Sequence, residues 1–283
     1  MYTPLIIIGA PRSGTNMLRD ALTQLPGYAT WPCDEINYIW RHGNTRYPTD
    51  EFPAALARPN VCRSIRRRFD DLARRSGAQV VVEKTCANSL RVPFVDAIIP
   101  DARYIFISRD GYDVVGSAAK RWRAELDLGY LAAKVRFVPI SDIPYYGVRY
   151  LWNRIYRLTA GRGQLAFWGP QWNGMDDAMG QPAETLGALQ WQACVERSLA
   201  AFSEMPVNRW TGVSYETFVE RPATELRRAL NALDLPVSDD AIRSAVAAVS
   251  VASIGKGKQQ LGEPILARLA PLIGQTRRRL GYE

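Results

Sequence analysis

Short apolar runs alternate with amphipathic stretches along the first 125 residues. Leu5 to Ile8 is an apolar, largely β-branched run, long enough for a buried strand, and Gly9-Ala10-Pro11 breaks it. From Ser13 onward, Met17, Leu18, Ala21 and Leu22 predict a helix with one apolar face. Residues 27–32 and 41–60 read as loop. Ser64 to Ser76 reads as a helix whose Arg-rich outer face is solvated. A second strand, Gln79 to Thr85, ends in Glu83-Lys84-Thr85. Asn88-Ser89 opens a helix through Ile99, and Pro100-Asp101-Ala102 closes it. Arg103 to Ser108 is a third strand, Arg109-Asp110-Gly111 a turn, and Tyr112 to Arg123 a helix. Strands alternating with helices predict a parallel sheet covered on both faces. Residues 9–16, 83–88 and 109–117 then meet at one sheet edge.

The second half is less regular. Tyr145, Tyr146, Tyr150, Trp152, Tyr156, Phe167, Trp168, Trp172 and Met175 crowd residues 124–190, with helical spacing over Tyr146 to Leu158 and a long loop over Gly161 to Pro182. These aromatics read either as an acceptor face or as a satellite core. A helix is expected over Thr185 to Phe202, a fourth strand over Trp210 to Glu216, and helices over Ala223 to Leu233 and Ser238 to Ala248. A terminal helix over residues 263–283 ends in Arg277-Arg278-Arg279, read as solvated.

Charge and composition narrow the chemistry. The net charge of +8, from 36 Lys+Arg against 28 Asp+Glu, favours anionic ligands. A single histidine, His42, leaves little material for a zinc site or a His-based triad. The scattered cysteines Cys33, Cys62, Cys86 and Cys194 suggest free thiols. Met1-Tyr2-Thr3-Pro4 lacks a basic leader and no run approaches a membrane span, so a cytoplasmic location without an integral membrane segment is expected. No nucleic-acid motif is visible, and no nucleic-acid partner is expected.

Gly9 to Asn16 joins the first strand to the first helix, the layout that cradles phosphate on helix N–H groups. Gly9 and Gly14 have the spacing of the nucleotide P-loop, but Thr15-Asn16 replace its Lys-Ser/Thr and the cation, Arg12, lies inside. The ligand expected is a nucleotide phosphate other than the Mg-ATP γ-phosphate; an ordinary βα turn is the alternative. Arg109, Ser117 and Arg121 have the spacing of a phosphate clamp. The alternative is that Arg109 pairs with Asp110 or Asp113 while Arg121 is surface charge. Asp34 and Glu35 are adjacent acids that, without further information, read as solvated loop residues.

Together, Gly9-Ala-Pro-Arg-Ser-Gly-Thr-Asn16 and Ile107-Ser-Arg-Asp-Gly-Tyr-Asp-Val-Val-Gly-Ser117 resemble the 5′-phosphosulfate loop and the 3′-phosphate segment of nucleotide-dependent sulfotransferases. Within that family the first 125 residues are most similar to tyrosylprotein sulfotransferases and related bacterial enzymes. The resemblance implies an α/β fold: a three-layer P-loop-like parallel sheet flanked by helices, with a largely helical and loop insert over the active site. It implies one sulfotransferase domain, with residues 1–123 and 205–283 as nucleotide-binding core and 124–204 as acceptor-side insert. The donor implied is 3′-phosphoadenosine 5′-phosphosulfate (PAPS), used without a metal and leaving 3′,5′-adenosine bisphosphate (PAP). Glu35 would be the base, with Asp34 as competitor because the preceding loop is longer here. Arg12 and Lys84 would contact the transferring group. Pro11, Arg12, Ser13, Gly14, Thr15, Asn16, Arg109, Ser117, Arg121, Tyr215, Lys256 and Lys258 would bind the nucleotide. The expected acceptor is a glycan, a glycolipid or a hydroxylated secondary metabolite, with a phenolic or tyrosine acceptor as alternative. A homodimer is an open assembly. A P-loop kinase is the less favoured reading, since the loop Lys is missing and the third strand ends in Ser108-Arg109.

Overall fold

The computed structural model describes residues 2–122, 138–144 and 168–283, with the backbone alone for residues 120–122. In chain order the elements are β1 (Thr3–Ile8), α1 (Thr15–Thr23), β2 (Tyr28–Ala29), α2 (Asn37–Trp40), α3 (Pro59–Ser76), β3 (Val80–Lys84), α4 (Val92–Ile98), β4 (Arg103–Ser108) and α5 (Gly111–Trp122). Further along the chain come α6 (Met175–Ala178), α7 (Ala183–Ser203), β5 (Trp210–Ser214), α8 (Tyr215–Glu220), α9 (Pro222–Ala232), α10 (Asp239–Ala245), α11 (Lys256–Leu261) and α12 (Glu263–Arg279). The helix expected over Tyr146–Leu158, the aromatics Tyr145, Tyr146, Tyr150, Trp152, Tyr156 and Phe167, and the side chain of Arg121 lie outside the described residues.

The strands form one parallel sheet in the order β2-β3-β1-β4-β5. Successive residues of β1 serve opposite faces. Ile6 and Ile8 join one core with Phe69, Phe94, Val115, Trp191 and Ile273, supplied by α3, α4, α5, α7 and α12. Leu5 and Ile7 join the other with Leu18, Phe218, Leu230 and Ile242, supplied by α1, α8, α9 and α10. A strand covered on both faces is apolar at every position, which is why β1 reads as a continuous run. Each fully buried Ile or Leu contributes about 1.5–3 kcal/mol of transfer free energy, so strand and helix residues of these two cores hold the three layers together. No described helix is long and apolar enough to cross a membrane.

Several local expectations are corrected. Tyr28–Ala29 is a short edge strand inside the expected loop, paired with β3. Residues 41–60 contain a 3-10 turn at Ala54–Leu56, and α3 begins at Pro59 rather than Ser64, because proline suits the first helical turn. Cys86–Leu90 is a 3-10 segment, and the α-helix begins only at Val92. The fourth strand stops at Ser214, whose hydroxyl accepts from the Thr217 N–H and starts α8 at Tyr215. The long loop expected to Pro182 holds the short helix α6, and Trp172 and Met175 pack into the core beside α7.

Candidate functional site

The chain moves from β1 outward to β2 and β3, then crosses to β4 on the other side of β1. The carboxyl end of β1 is therefore a topological switch point, where open α/β sheets place ligands. Residues 9–16 leave the sheet there. Arg12 takes a left-handed backbone, φ 70°, and Gly14 another, φ 89°. The second is open only to a residue without a side chain, because a Cβ there would lie 2.4 Å from the Tyr215 ring. A left-handed arginine costs about 1–3 kcal/mol, and such strain gathers at functional turns. Gly14 caps α1 and has no side chain with which to occupy the N–H groups of its first turn.

Two groups of side chains flank this loop. On the β4 side, Arg12 Nε donates to Ser117 Oγ at 2.8 Å. Arg109 is buried, donating to Arg12 O at 3.2 Å, Asp113 Oδ2 at 3.4 Å and Ser253 O at 2.5 Å. Its guanidinium lies 4.2 Å from the Tyr215 ring centre. Arg109 thus pairs with Asp113, as the second reading of the spacing allows, and it also reaches the loop through Arg12 O. Asp110 pairs instead with Arg277. Arg12, Arg109, Ser117, Ser253, Lys256 and Gln260 line a cavity of about 270 Å³. Lys258 points elsewhere, its Nζ 5.9 Å from the Tyr112 ring centre.

On the β3 side, Lys84 Nζ donates to Glu35 Oε1 at 3.2 Å, and the Cys86 N–H donates to the same oxygen at 3.3 Å. Burial, the largest single influence, disfavours the Lys84 ammonium, but attraction to Glu35 and Cys86 and the hydrogen bond to Glu35 together outweigh it and the net shift is upward. Lys84 is therefore a buried cation at neutral pH. The Cys86 thiol is pushed up by burial and by Glu35, so it is inert as a nucleophile. Thr15 Oγ1 lies 3.7 Å from Cys86 Sγ, which joins the start of α1 to the end of β3. Asp34 turns away to Arg19, with Nη1 3.5 Å from Oδ1.

The structure thus brings Arg12, Ser13, Thr15, Lys84, Glu35, Arg109, Ser117 and Tyr215 to one sheet edge. Pro11 lies in the turn itself, Asn16 in the first turn of α1, and Lys256 lines the neighbouring cavity from the start of α11. Sequence reasoning offered Asp113 only as a partner of Arg109 and missed its second role: its Oδ2 accepts the Gly255 N–H at 2.7 Å and its Oδ1 accepts the Lys258 N–H at 2.9 Å. It also missed Asp50 and Arg91, which pair inside the protein with no local signal. Two polar atoms of the site, Ser13 Oγ and Arg109 Nε, are buried without a hydrogen-bond partner. With Arg12, the loop N–H groups and the strand-end cations, they make a donor set suited to a nucleotide phosphosulfate.

Sheet order, turn and strand-end cations define the P-loop-like α/β class. A family model described as the sulfotransferase family matches residues 4–162, and the chain belongs to that family. It is an enzyme of the sulfotransferase type. Solved structures share the fold. The sulfotransferase domain from the Synechococcus PCC 7002 olefin synthase is 15% identical, with TM-score 0.60, covering 100% of this chain and 96% of that one. A sulfotransferase from Alicyclobacillus acidocaldarius is 17% identical, with TM-score 0.52 and coverage of 100% and 97%. A mouse sulfotransferase complexed with PAP is 11% identical, with TM-score 0.50 and coverage of 98% and 85%. No curated protein matches the chain in sequence.

Proposed function

We propose that the chain transfers a sulfuryl group from PAPS to the hydroxyl of a small-molecule acceptor, with Glu35 as general base. The observation that carries this is the adjacency of a carboxylate and a buried ammonium, Glu35 and Lys84, at a strand end beside the Arg12 loop. PAPS supplies the activated sulfonate and a phosphate leaving group. The residues 11–16, with Arg12 and the α1 N–H groups, would hold the 5′-phosphosulfate. Arg109, Ser117 and Lys256 would hold the 3′-phosphate, and Tyr215 supports both by packing under Arg109 and against Gly14. Arg121 would be a further cation for that phosphate; Lys258, turned toward the Tyr112 ring, is not.

The chemistry follows from charge. As the acceptor oxygen attacks, negative charge grows on the bridging oxygen and the sulfonate oxygens. Fixed cations stabilise it without reorganising: Lys84 is buried at the strand end, and Arg12, though exposed, is tied through Nε to Ser117 Oγ. The acceptor must also release its proton, for which Glu35 is the nearest carboxylate to Lys84. Asp34, held toward Arg19, is the weaker choice. The acceptor class favoured is a glycan, glycolipid or hydroxylated secondary metabolite, and one domain of residues 1–283 would carry the activity.

Two measurements test the reading. Titration calorimetry should find PAP binding and little for Mg-ATP; tight binding of Mg-ATP alone would overturn it. A PAPS-loaded screen of acceptor classes, phenols included, should show mass gain of one sulfonate. Glu35→Gln should lower that transfer by about 10²–10⁴-fold while PAP still binds. Full transfer by the variant would move the base elsewhere.

A further inference from the structure

Glu35 is held through the backbone of the residues that follow it. The Ile36 N–H donates to Thr85 Oγ1 at 3.2 Å, and the Thr85 hydroxyl donates to Glu83 Oε1 at 2.5 Å. Asn88 Nδ2 donates to the other Glu83 oxygen at 3.0 Å. Arg91 Nε donates to Asn88 Oδ1 at 2.9 Å. The Arg91 guanidinium then reaches Asn37 Oδ1 at 2.5 Å and Asp50 Oδ1 at 3.3 Å. Beyond it, Asp50 Oδ2 accepts the Gln171 N–H at 3.0 Å, and the Asp50 N–H donates to Gln171 O at 2.7 Å. Glu83, Thr85, Asn88 and Arg91 are all 0% exposed and Asp50 is 3% exposed.

A dry polar chain of this length is a poor way to gain stability, because each charge loses its water and an apolar core of the same shape would do as well. It does fix geometry. It starts at the two residues after Glu35 and ends on the 168–173 segment, which lies within the residues 124–204 expected as the acceptor-side insert. Glu35 itself sits on a loop rather than a strand, with its side chain 25% exposed. A loop carboxylate needs a supporting layer if it is to meet an acceptor proton within hydrogen-bond reach.

We propose that Thr85 is a positioning residue for Glu35, and that the Glu83–Asn88–Arg91–Asp50 relay behind it ties the orientation of Glu35 to the 168–173 segment. This rests on the reading of Glu35 as base. Thr85 is aimed at the Ile36 N–H while its neighbour Lys84 meets Glu35 Oε1 directly, so the end of β3 holds Glu35 both at its carboxylate and at the peptide that follows it. A misplacement of about 1 Å at such a group costs on the order of 10²-fold in rate.

The test compares Thr85→Val, which keeps the shape and removes the hydroxyl, with Thr85→Ser, which keeps the hydroxyl. Each is made in the parent and in a Glu35→Gln background. Acceptor kcat and KM with PAPS, and PAP binding by calorimetry, are measured on the full chain. Thr85→Val should lower kcat by about 10–100-fold with PAP affinity unchanged, and Thr85→Ser should restore most of it. In the Glu35→Gln background Thr85→Val should cost nothing further, because it acts through Glu35. Parent-like kcat in Thr85→Val, with Glu35→Gln inactive, overturns the proposal alone. An equal fold-loss in both backgrounds also overturns it, since that marks a merely structural role. A fully active Glu35→Gln overturns the base assignment and the proposal with it. If Thr85→Val does not fold, Asp50→Asn at the far end of the relay should show the same dependence on Glu35, and an equal loss in both backgrounds would again overturn the proposal.

Discussion

Two carboxyls flank Lys84, and their surroundings differ. Glu35 faces the loop edge, whereas Glu83 points into the sheet and is 0% exposed. Burial raises the Glu83 pKa to about 7, against the opposing pull of the Thr85 hydrogen bond and the Lys84 and Arg91 charges. Arg91, buried beside it, is lowered to about 10 by burial, despite the pull of Asp50, and stays charged at neutral pH. The sign for stability follows. Unfolded, Glu83 releases its proton near 4.5; folded, it keeps it up to about 7. Between these values the native state binds the extra proton, so stability falls as pH rises through the window and levels off above it. The cost is a few kcal/mol at most, by the usual equivalence of about 1.4 kcal/mol per pH unit. Glu83→Gln, which resembles the protonated form, should flatten the profile. Thermal unfolding midpoints at pH 5 and pH 8 check this: the parent should fall further than the variant, and parallel losses would refute the assignment.

At the scale of elements, the cavity lined by Arg12, Arg109 and Lys256 depends on how closely α11 approaches α5. A Cβ on Gly116 would lie 2.1 Å from the Gly257 carbonyl oxygen, and one on Gly257 would lie 2.1 Å from that of Asp113. Both neighbours are backbone, which cannot turn aside. Gly116→Ala sets two effects against each other. Alanine favours a helix over glycine by about 0.5–1 kcal/mol. Forcing the helices apart costs about 1–3 kcal/mol, and because the clash is with backbone this effect should win. The separation also moves Ser253 and Lys256, which line the cavity. The expected result is lower denaturant stability together with weaker PAP binding. Gly212→Ala is the control, since its nearest atom lies 4.0 Å away on Trp210. Matching behaviour of the two variants would show that the α5–α11 contact does not set the cavity.

At the scale of the molecule, the elements legible in the sequence are those whose pattern is local. β1, β3 and β4 are continuous apolar runs because both faces are covered, and α7 carries many apolar positions over 21 residues. β2 is two residues long and has no pattern to read. The loop and strand-end cations were legible because motif spacing carries them. The bonds of Asp113 to the Gly255 and Lys258 N–H groups and the pairing of Asp50 with Arg91 were not, because those contacts are made by the fold. The clearest correction is Arg277. Read as part of a solvated helix end, it is buried, donating to Asp110 Oδ1 and Oδ2 at 3.1 and 2.9 Å and lying 4.2 Å from the Tyr112 ring centre. Arg278 and Arg279 stay exposed, though Arg279 pairs with Glu196. The same turn is tied a second time, since Glu216 accepts the Asp110 N–H at 3.0 Å and the Tyr282 hydroxyl at 2.6 Å. The end of the chain thus braces the turn that carries Arg109. Removing one partner of a largely buried pair strands the other, at about 3–5 kcal/mol when burial is complete and less here, where Asp110 is 19% exposed. Arg277→Ala should therefore lower the unfolding midpoint and weaken PAP binding, although no atom of Arg277 lines the cavity. A ligand at 100 times its dissociation constant adds about 2.7 kcal/mol, so excess PAP should recover much of the lost stability. Melting curves of parent and variant, with and without PAP, check this. A variant that melts lower yet binds PAP like the parent would show that α12 supports the fold alone and leaves Arg109 where it is.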